Sequence, residues 1–254
     1  TRAQIITFGF SESAQLQVDQ FQNYLEGDES WLSFKLNYKG SFVPVRLLNM
    51  LGRAQVYASA AAAALGLISG INLVKVAESL SHYQSPPGRL RIIKGIKNTT
   101  IIDDSYNSSP IALTEALKTI KSLDAQRKIA VLGDMLEIGK YTIEAHEAGG
   151  AIAAESVDVL ITIGERAKFF SEGALKSGFP EGSIYNFNDI QSAGKFLDKF
   201  MKPGDLILIK GSQSVRMEKI VKEIMAEPQL AEELLVRQNK EWLLKPGIYD
   251  APIV

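Results

Sequence analysis

The 254-residue sequence has no cysteine and only two histidines, His82 and His146. The first absence excludes disulfides, thiolate nucleophiles and zinc–thiolate sites, and the second excludes a multi-histidine metal centre. No apolar run approaches the roughly 18 residues of a membrane-crossing helix. The longest, Ala58 to Ile68, is alanine-rich and interrupted, and reads as a buried helix. Charge of one sign is lacking too: 28 Lys and Arg face 29 Asp and Glu. No basic stripe points to nucleic acid, and no charge block marks an acidic or basic tail. Three motifs are missing: the G-x-x-x-x-G-K-[ST] phosphate loop, the G-x-G-x-x-G dinucleotide fingerprint and the G-x-S-x-G nucleophile elbow. A dinucleotide-dependent dehydrogenase and a hydrolase of the elbow type are therefore disfavoured. What remains is 46% hydrophobic, enough for one large domain or two modest ones. The opening Thr1-Arg-Ala-Gln is no secretion signal and runs straight into strand-like residues, as though the chain began inside a domain.

Along the chain, Ile5 to Phe8 is a short β-like run ended by Gly9. Trp31 to Asn37 and Phe42 to Leu48 alternate apolar and polar residues around Tyr38-Lys39-Gly40-Ser41, a hairpin signal. Val56 to Leu67 reads as a helix crowded with small residues. Asn72 to Leu80 reads as an amphipathic one. Ser85-Pro86-Pro87-Gly88 cannot continue a helix and predicts a domain boundary. Beyond it, strands are expected at 99–102, 128–132, 157–163, 183–187 and 205–209, each followed by a helix. That alternation predicts an α/β fold: a Rossmann-like C-terminal domain over residues 85–226, with a mainly parallel sheet covered on both faces. The last 28 residues, Glu227 to Val254, read as a tail that wraps the surface or is partly loose.

Open α/β sheets bind ligands beyond the carboxyl ends of their strands. Three polar clusters fall there. Asp103-Asp104-Ser105-Tyr106-Asn107 suits contacts to ribose, a phosphate-bound metal or an amine, or else a helix cap completed by Ser109 and Pro110. Gly133-Asp134-Met-Leu-Glu137-Ile-Gly139 could place an amine, or could be a tight turn whose acids favour the next helix. His146 beyond it reads better as a satisfied side chain than as a catalyst. Lys210-Gly211-Ser212-Gln213 could hold a carboxylate or phosphate, or be an ordinary strand-to-helix turn. Arg89, at the proposed hinge, could reach a phosphate.

In order, these strings resemble the Mur ligase family: Gly52-Arg-Ala-Gln55 before an alanine-rich helix, Pro-Gly-Arg89, Asp-Asp104-Ser-Tyr-Asn107, Gly-Asp134-Met-Leu-Glu137-Ile-Gly139, His146, and Lys210-Gly-Ser212 leading to Arg-Met217-Glu218. Within the family they look most like the branch that adds D-alanyl-D-alanine to a UDP-linked muramoyl peptide. The resemblance implies an ATP-dependent amide-bond-forming ligase of peptidoglycan precursor synthesis, working through an acyl phosphate, with ATP and Mg2+ as cofactors. It implies UDP-MurNAc-peptide and D-Ala-D-Ala as substrates, a cytoplasmic location and a monomer. Residues 1–84 would be the last part of an α/β ATPase central domain. Without the phosphate loop the chain would not couple ATP hydrolysis to ligation by itself. Arg89 would approach the terminal phosphates of ATP as the catalytic arginine. Asp104, Asn107 and Gln55 would face the nucleotide. Tyr106, Asp134, Glu137, Lys210 and Ser212 would face the incoming dipeptide. Replacing Asp104 or Arg89 would then depress turnover far more than stability. Three positions depart from the family pattern: Gln55 and Ala58 stand where two asparagines are usual, and Gln213 where an arginine is usual. A non-catalytic binding or regulatory module derived from such a ligase, and a ligase of a folate-type or cyanophycin-type branch, are the alternatives.

Overall fold

The computed structural model describes residues 5–27 and 29–250. The chain divides into two compact units, Thr1–Ser85 and Pro86–Val254.

The first unit is a four-stranded sheet backed by two helices. Strands β1 (Phe8–Gly9), β2 (Leu16–Glu26), β3 (Glu29–Tyr38) and β4 (Ser41–Leu48) lie in that spatial order. β1 pairs with β2 in parallel, and the other pairings are antiparallel. Period-2 alternation sends Leu32, Phe34 and Leu36 of β3, and Val45 and Leu47 of β4, to one face. Helix α1 (Arg53–Ile68) packs there through Val56, Ala60, Ala63 and Ala64, and α2 (Leu73–Leu80) through Leu73, Val76 and Leu80. Asn72 caps α2, its side chain accepting from the Lys75 amide at 2.9 Å. β2 has no counterpart in the sequence reading. Its register shifts between Asp19 and Gln22, where Gln20 takes a φ of 53°. That bulge breaks the alternation by which a strand is recognised.

The second unit is a six-stranded sheet with helices on both faces. Its strands are β5 (Arg91–Gly95), β6 (Thr99–Asp104), β7 (Arg127–Gly133), β8 (Val159–Ile163), β9 (Ile184–Phe187) and β10 (Asp205–Lys210), in spatial order β5-β6-β10-β7-β8-β9. All neighbours are parallel except β5 and β6. β5 was not expected: it is a five-residue edge strand, tied to β6 by a turn in which Lys97 takes a φ of 56°. Helices α3 (Pro110–Lys121), α4 (Thr142–Ala154) and α5 (Lys168–Lys176) follow β6, β7 and β8. Helices α6 (Ile190–Phe200) and α7 (Glu218–Ile224) follow β9 and β10, and bury Ala193, Leu197, Ile220 and Val221 against Ile101, Val131, Ile161 and Ile207. α4 meets α5 at backbone distance: a Cβ on Gly150 would lie 1.9 Å from the Phe170 carbonyl oxygen.

The C-terminal residues are part of this unit. α8 (Ala231–Leu234) buries Ala231, and Leu235 joins the same core, while α9 (Lys240–Leu244) carries Trp242. Tyr249 packs against that core and its carbonyl accepts from the Ile190 amide at 3.0 Å.

Candidate functional site

Because β10 lies between β6 and β7, the carboxyl ends of three strands converge. The register pairs Lys210 with Asp104 on one side and with Leu132 on the other. Residues paired across parallel strands point to the same face, so Lys210 and Asp104 must meet. Lys210 Nζ donates to Asp104 Oδ2 at 2.5 Å and to the Asn107 carbonyl at 3.0 Å. Asp104 Oδ1 accepts from the Leu90 amide at 3.2 Å. Lys210 is 2% exposed and Asp104 7%. Burial pushes the Asp104 carboxyl up, and the Lys210 ammonium opposes it. Lys210, expected to face a ligand, is therefore turned inward as the counterion of Asp104.

Asp134 is turned inward as well. It is fully buried: Oδ1 accepts from the Arg166 and Ala167 amides at 3.0 and 2.7 Å. Oδ2 accepts from the Tyr249 hydroxyl at 2.6 Å and the Arg166 guanidinium at 3.2 Å. These bonds fasten the loop after β8 and leave no lone pair turned to solvent. Burial and the Asp134 hydroxyl contact push Tyr249 up to about 12.

His146 is a brace. It is fully buried against the Phe170 ring, 4.6 Å between centroids. Nε2 accepts from the Met135 amide at 3.0 Å, and Nδ1 lies 2.6 Å from the Thr142 carbonyl, which fixes the neutral Nδ1–H tautomer. Burial holds its pKa below the ordinary 6.5. Stability tied to His146 is thus complete above 6.5 and is lost as pH falls from there toward the folded-state value. We expect the imidazole carbon-bound proton resonances of His146 to stay at their neutral position while pH is lowered through 6.5. A midpoint at or above 6.5 in an NMR titration would contradict the buried acceptor role.

The outer surface of the strand ends is a cleft of about 410 Å3 lined by Asn107, Ser108, Ser109, Pro110, Leu136 to Ile138 and Ser212 to Ser214. Ser212 shapes it: its Oγ accepts from the Leu136 amide at 2.8 Å, and its own amide donates to the Asp134 carbonyl at 2.9 Å. Glu137 is exposed and holds a left-handed φ of 63°, a conformation that costs a residue with a Cβ about 1–2 kcal/mol. It is the one charged side chain among the cleft's lining residues. At the other side lies the start of α3, with Pro110 in its first turn and Ser109 Oγ accepting from the Ala112 amide. The cleft therefore offers a carboxylate at one side, the positive end of a helix at the other, and hydroxyls and amides between. Tyr106 lies beside it, half-exposed, with the Arg89 guanidinium 4.1 Å above its ring.

Gln55 lies in the first unit. Its amide donates to Ser85 Oγ at 2.8 Å and accepts from the Tyr83 hydroxyl at 3.1 Å. It is 7% exposed, so it ties the last residues of its own unit together.

Beneath the cleft lies a buried charge network that sequence reasoning missed. Glu218 accepts from Arg216 Nε at 2.5 Å and from Arg237 at 3.0 Å. Arg216 also donates to the carbonyls of Trp242 and Lys245. Arg237 donates to the carbonyls of Ser105 and Tyr106. Asp103, fully buried nearby, accepts from the Ser105 amide at 3.1 Å, and its other oxygen has no hydrogen-bonding partner among the described residues. Burial pushes the Asp103 carboxyl up to about 6. Arg237 gave one signal in sequence, an arginine directly after the apolar run Leu234-Leu235-Val236.

Among the described residues no group of three His, Asp or Glu side chains could hold a metal ion. With no phosphate loop in the sequence, Mg2+ and the triphosphate do not fit the side chains present. Among the described residues no helix is long and apolar enough to cross a membrane.

The profile of the Mur ligase glutamate ligase domain matches residues 88–213. The chain is 33% identical over 189 residues to the UDP-N-acetylmuramoyl-tripeptide–D-alanyl-D-alanine ligase of Bacillus subtilis, covering 74% of this chain and 40% of that one. The Escherichia coli ligase of the same name is 30% identical over 181 residues, covering 70% and 38%. A crystal structure of MurF from Acinetobacter baumannii superposes with a TM-score of 0.71 at 26% identity, over 86% of this chain and 46% of that one. MurF of Thermotoga maritima, solved with ADP, has the same fold at a TM-score of 0.71 and 23% identity, over 86% and 47%. The chain spans about two fifths of the length of the curated relatives it matches. The matched profile, the two ligase relatives and the shared fold together place it: the chain belongs to the Mur ligase family.

Proposed function

We propose that this chain forms the acceptor side of an ATP-dependent ligase that joins D-Ala-D-Ala to a UDP-MurNAc-tripeptide in the cytoplasm. The observation that carries the reading is the cleft at the ends of β6, β7 and β10. Glu137 suits the dipeptide's ammonium group, and the start of α3 suits its carboxylate. Asn107, Ser212 and Gln213 supply polar groups for the peptide unit between. Such a cleft orients the amine for attack on an activated carboxylate, the positioning on which amide formation depends. ATP and Mg2+ are the cofactors of the whole ligase in this reading, held mainly by groups other than the side chains of this chain. Arg89 and Asn107 approach the nucleotide from this side, and Asp104 acts indirectly, by holding Lys210 and the Leu90 amide.

Titration of the isotope-labelled chain with D-Ala-D-Ala tests the reading. Amide resonances of Asn107, Glu137 and Gln213 are expected to move. Glu137→Gln is expected to weaken binding about tenfold, the loss of one charge-assisted bond. Saturable shifts confined to other parts of the chain, or identical affinity in the variant, would remove the cleft from the reaction.

A further inference from the structure

We propose that Arg237 is a positioning residue: it holds the loop Ser105–Asn107 and the turn Gly88–Arg89 in the geometry that presents Tyr106, Asn107 and Arg89. The proposal rests on the reading of the cleft as the ligand site and adds the C-terminal segment to that site.

The argument begins with backbone carbonyls. After β6 ends, Ser105 and Tyr106 leave the sheet, and their carbonyl oxygens need donors. Arg237 supplies both, through two nitrogens of one planar group. The same guanidinium reaches Glu218 at 3.0 Å, so α7 fixes its plane. A fork that binds three acceptors defines orientation as well as distance, which a single ammonium does not. Two guanidinium groups lie near the Tyr106 ring, Arg89 at 4.1 Å and Arg237 at 5.6 Å from its centroid.

The neighbouring turn is held by the same segment. The Tyr106 amide donates to the Gly88 carbonyl at 3.1 Å. Gly88 takes a φ of 70°, and a Cβ on it would lie 2.9 Å from the Tyr106 nitrogen and 3.1 Å from Val236 Cγ1. Val236 and Arg237 thus close on the Gly88–Arg89 turn and the Tyr106 loop together. Arg237 itself takes a φ of 59°, a strained conformation for a side chain of its size. Trp242 covers it from outside, 5.7 Å from ring centroid to guanidinium.

A second contact of the same segment lies elsewhere. The Tyr249 hydroxyl donates to Asp134 and accepts from the Glu165 amide at 3.1 Å, which secures the loop after β8. It supplies a control, because its loop is not the one Arg237 holds.

The test compares Arg237→Lys with Tyr249→Phe in the whole 254-residue chain. Arg237→Lys keeps the charge opposite Glu218 but loses the fork. Hydrogen exchange of the Tyr106, Asn107 and Ser108 amides is expected to speed up about tenfold, a local opening, with the melting temperature and Trp242 emission near those of the parent. Affinity for D-Ala-D-Ala is expected to fall about tenfold, as orientation of the loop is lost. Tyr249→Phe is expected to speed exchange at Arg166 and Ala167 and leave Tyr106 unchanged. Exchange in Arg237→Lys at the parental rate overturns the proposal. So does loosening spread evenly over the second unit, which a purely structural arginine would give. If Arg237→Lys does not fold, Arg237→Gln, which keeps a donor without charge, is read by the same criteria. If the parent chain does not bind the dipeptide, the cleft reading fails, and the exchange data still decide whether Arg237 holds the loop.

Discussion

Asp104→Ala is expected to destabilise the second unit by about 3–5 kcal/mol, the cost of leaving a buried charge without its partner. Lys210 is 2% exposed and its ammonium has two acceptors, Asp104 and the Asn107 carbonyl. Removing the carboxylate leaves one carbonyl to support a full charge that water cannot reach. The expectation that Asp104→Ala depresses turnover far more than stability takes the side chain as facing a ligand, whereas here it faces Lys210 and the Leu90 amide. Lys210→Met should cost less than Asp104→Ala, because the carboxyl can take up a proton. The pair Asp104→Ala with Lys210→Met should recover much of the loss. Urea unfolding in a Trp31→Phe background checks this, since Trp242 then reports the second unit alone. Strictly additive single effects would show that the two groups do not depend on each other.

Asp103→Asn is expected to act in the opposite direction and stabilise the unit above pH 7 by roughly 1–3 kcal/mol. Burial raises the Asp103 carboxyl from 3.8 to about 6. Between those values the folded chain binds more protons than the unfolded one, so stability falls as pH rises through the window and is level above it. Glu218 and Asp104 face Asp103 with like charge, the lesser causes beside desolvation. Asparagine keeps an oxygen for the Ser105 amide and carries no charge. The variant's advantage should be near zero at pH 4, grow toward pH 6 and then stay constant. Unfolding free energies at pH 4, 5, 6 and 7.5 test it; an advantage that grows on acidification would reverse the sign and rule out a raised pKa. His146 titrates in both proteins and cancels from the difference.

The sequence exposes some features of this molecule more readily than others, for physical reasons. The parallel strands were legible because both their faces are buried: Ile129 to Leu132 and Leu206 to Ile209, within the expected strands 128–132 and 205–209, are continuous apolar runs. The helix after β6 was legible through its cap at Ser109-Pro110. β2 was hidden by its bulge, and β5 by having only five residues beside a proline-rich turn. Among the candidate residues, the motif named the right loops but not which way each side chain turns. Asp134 and Lys210 sit in the same strings as Glu137 and Gln213, yet the first pair serves the interior and the second lines the cleft. Direction is set by strand register and by partners far along the chain, such as Tyr249 for Asp134. Arg237 belongs to no periodic pattern; its place directly after Leu234-Leu235-Val236 is the one local mark it carries.

The order of the six strands also sets a schedule. β10 is the last strand in the chain, yet it lies between β6 and β7. Until it is made and inserted, each of those strands has an open edge toward the middle of the sheet, and Asp104 has no ammonium beside it. Nearly the whole unit must therefore be synthesised before its centre can close, and the decisive contacts span more than a hundred residues of chain. Such long-range closure is slow, and the waiting edges are templates for pairing with other chains. Assembly of the cleft and completion of folding are consequently one event: β10 brings Lys210, Ser212 and the start of α7 to their places in a single step, so a chain halted before Asp205 lacks the strand that sets Asn107–Pro110 and Leu136–Ile138 on either side of one cleft.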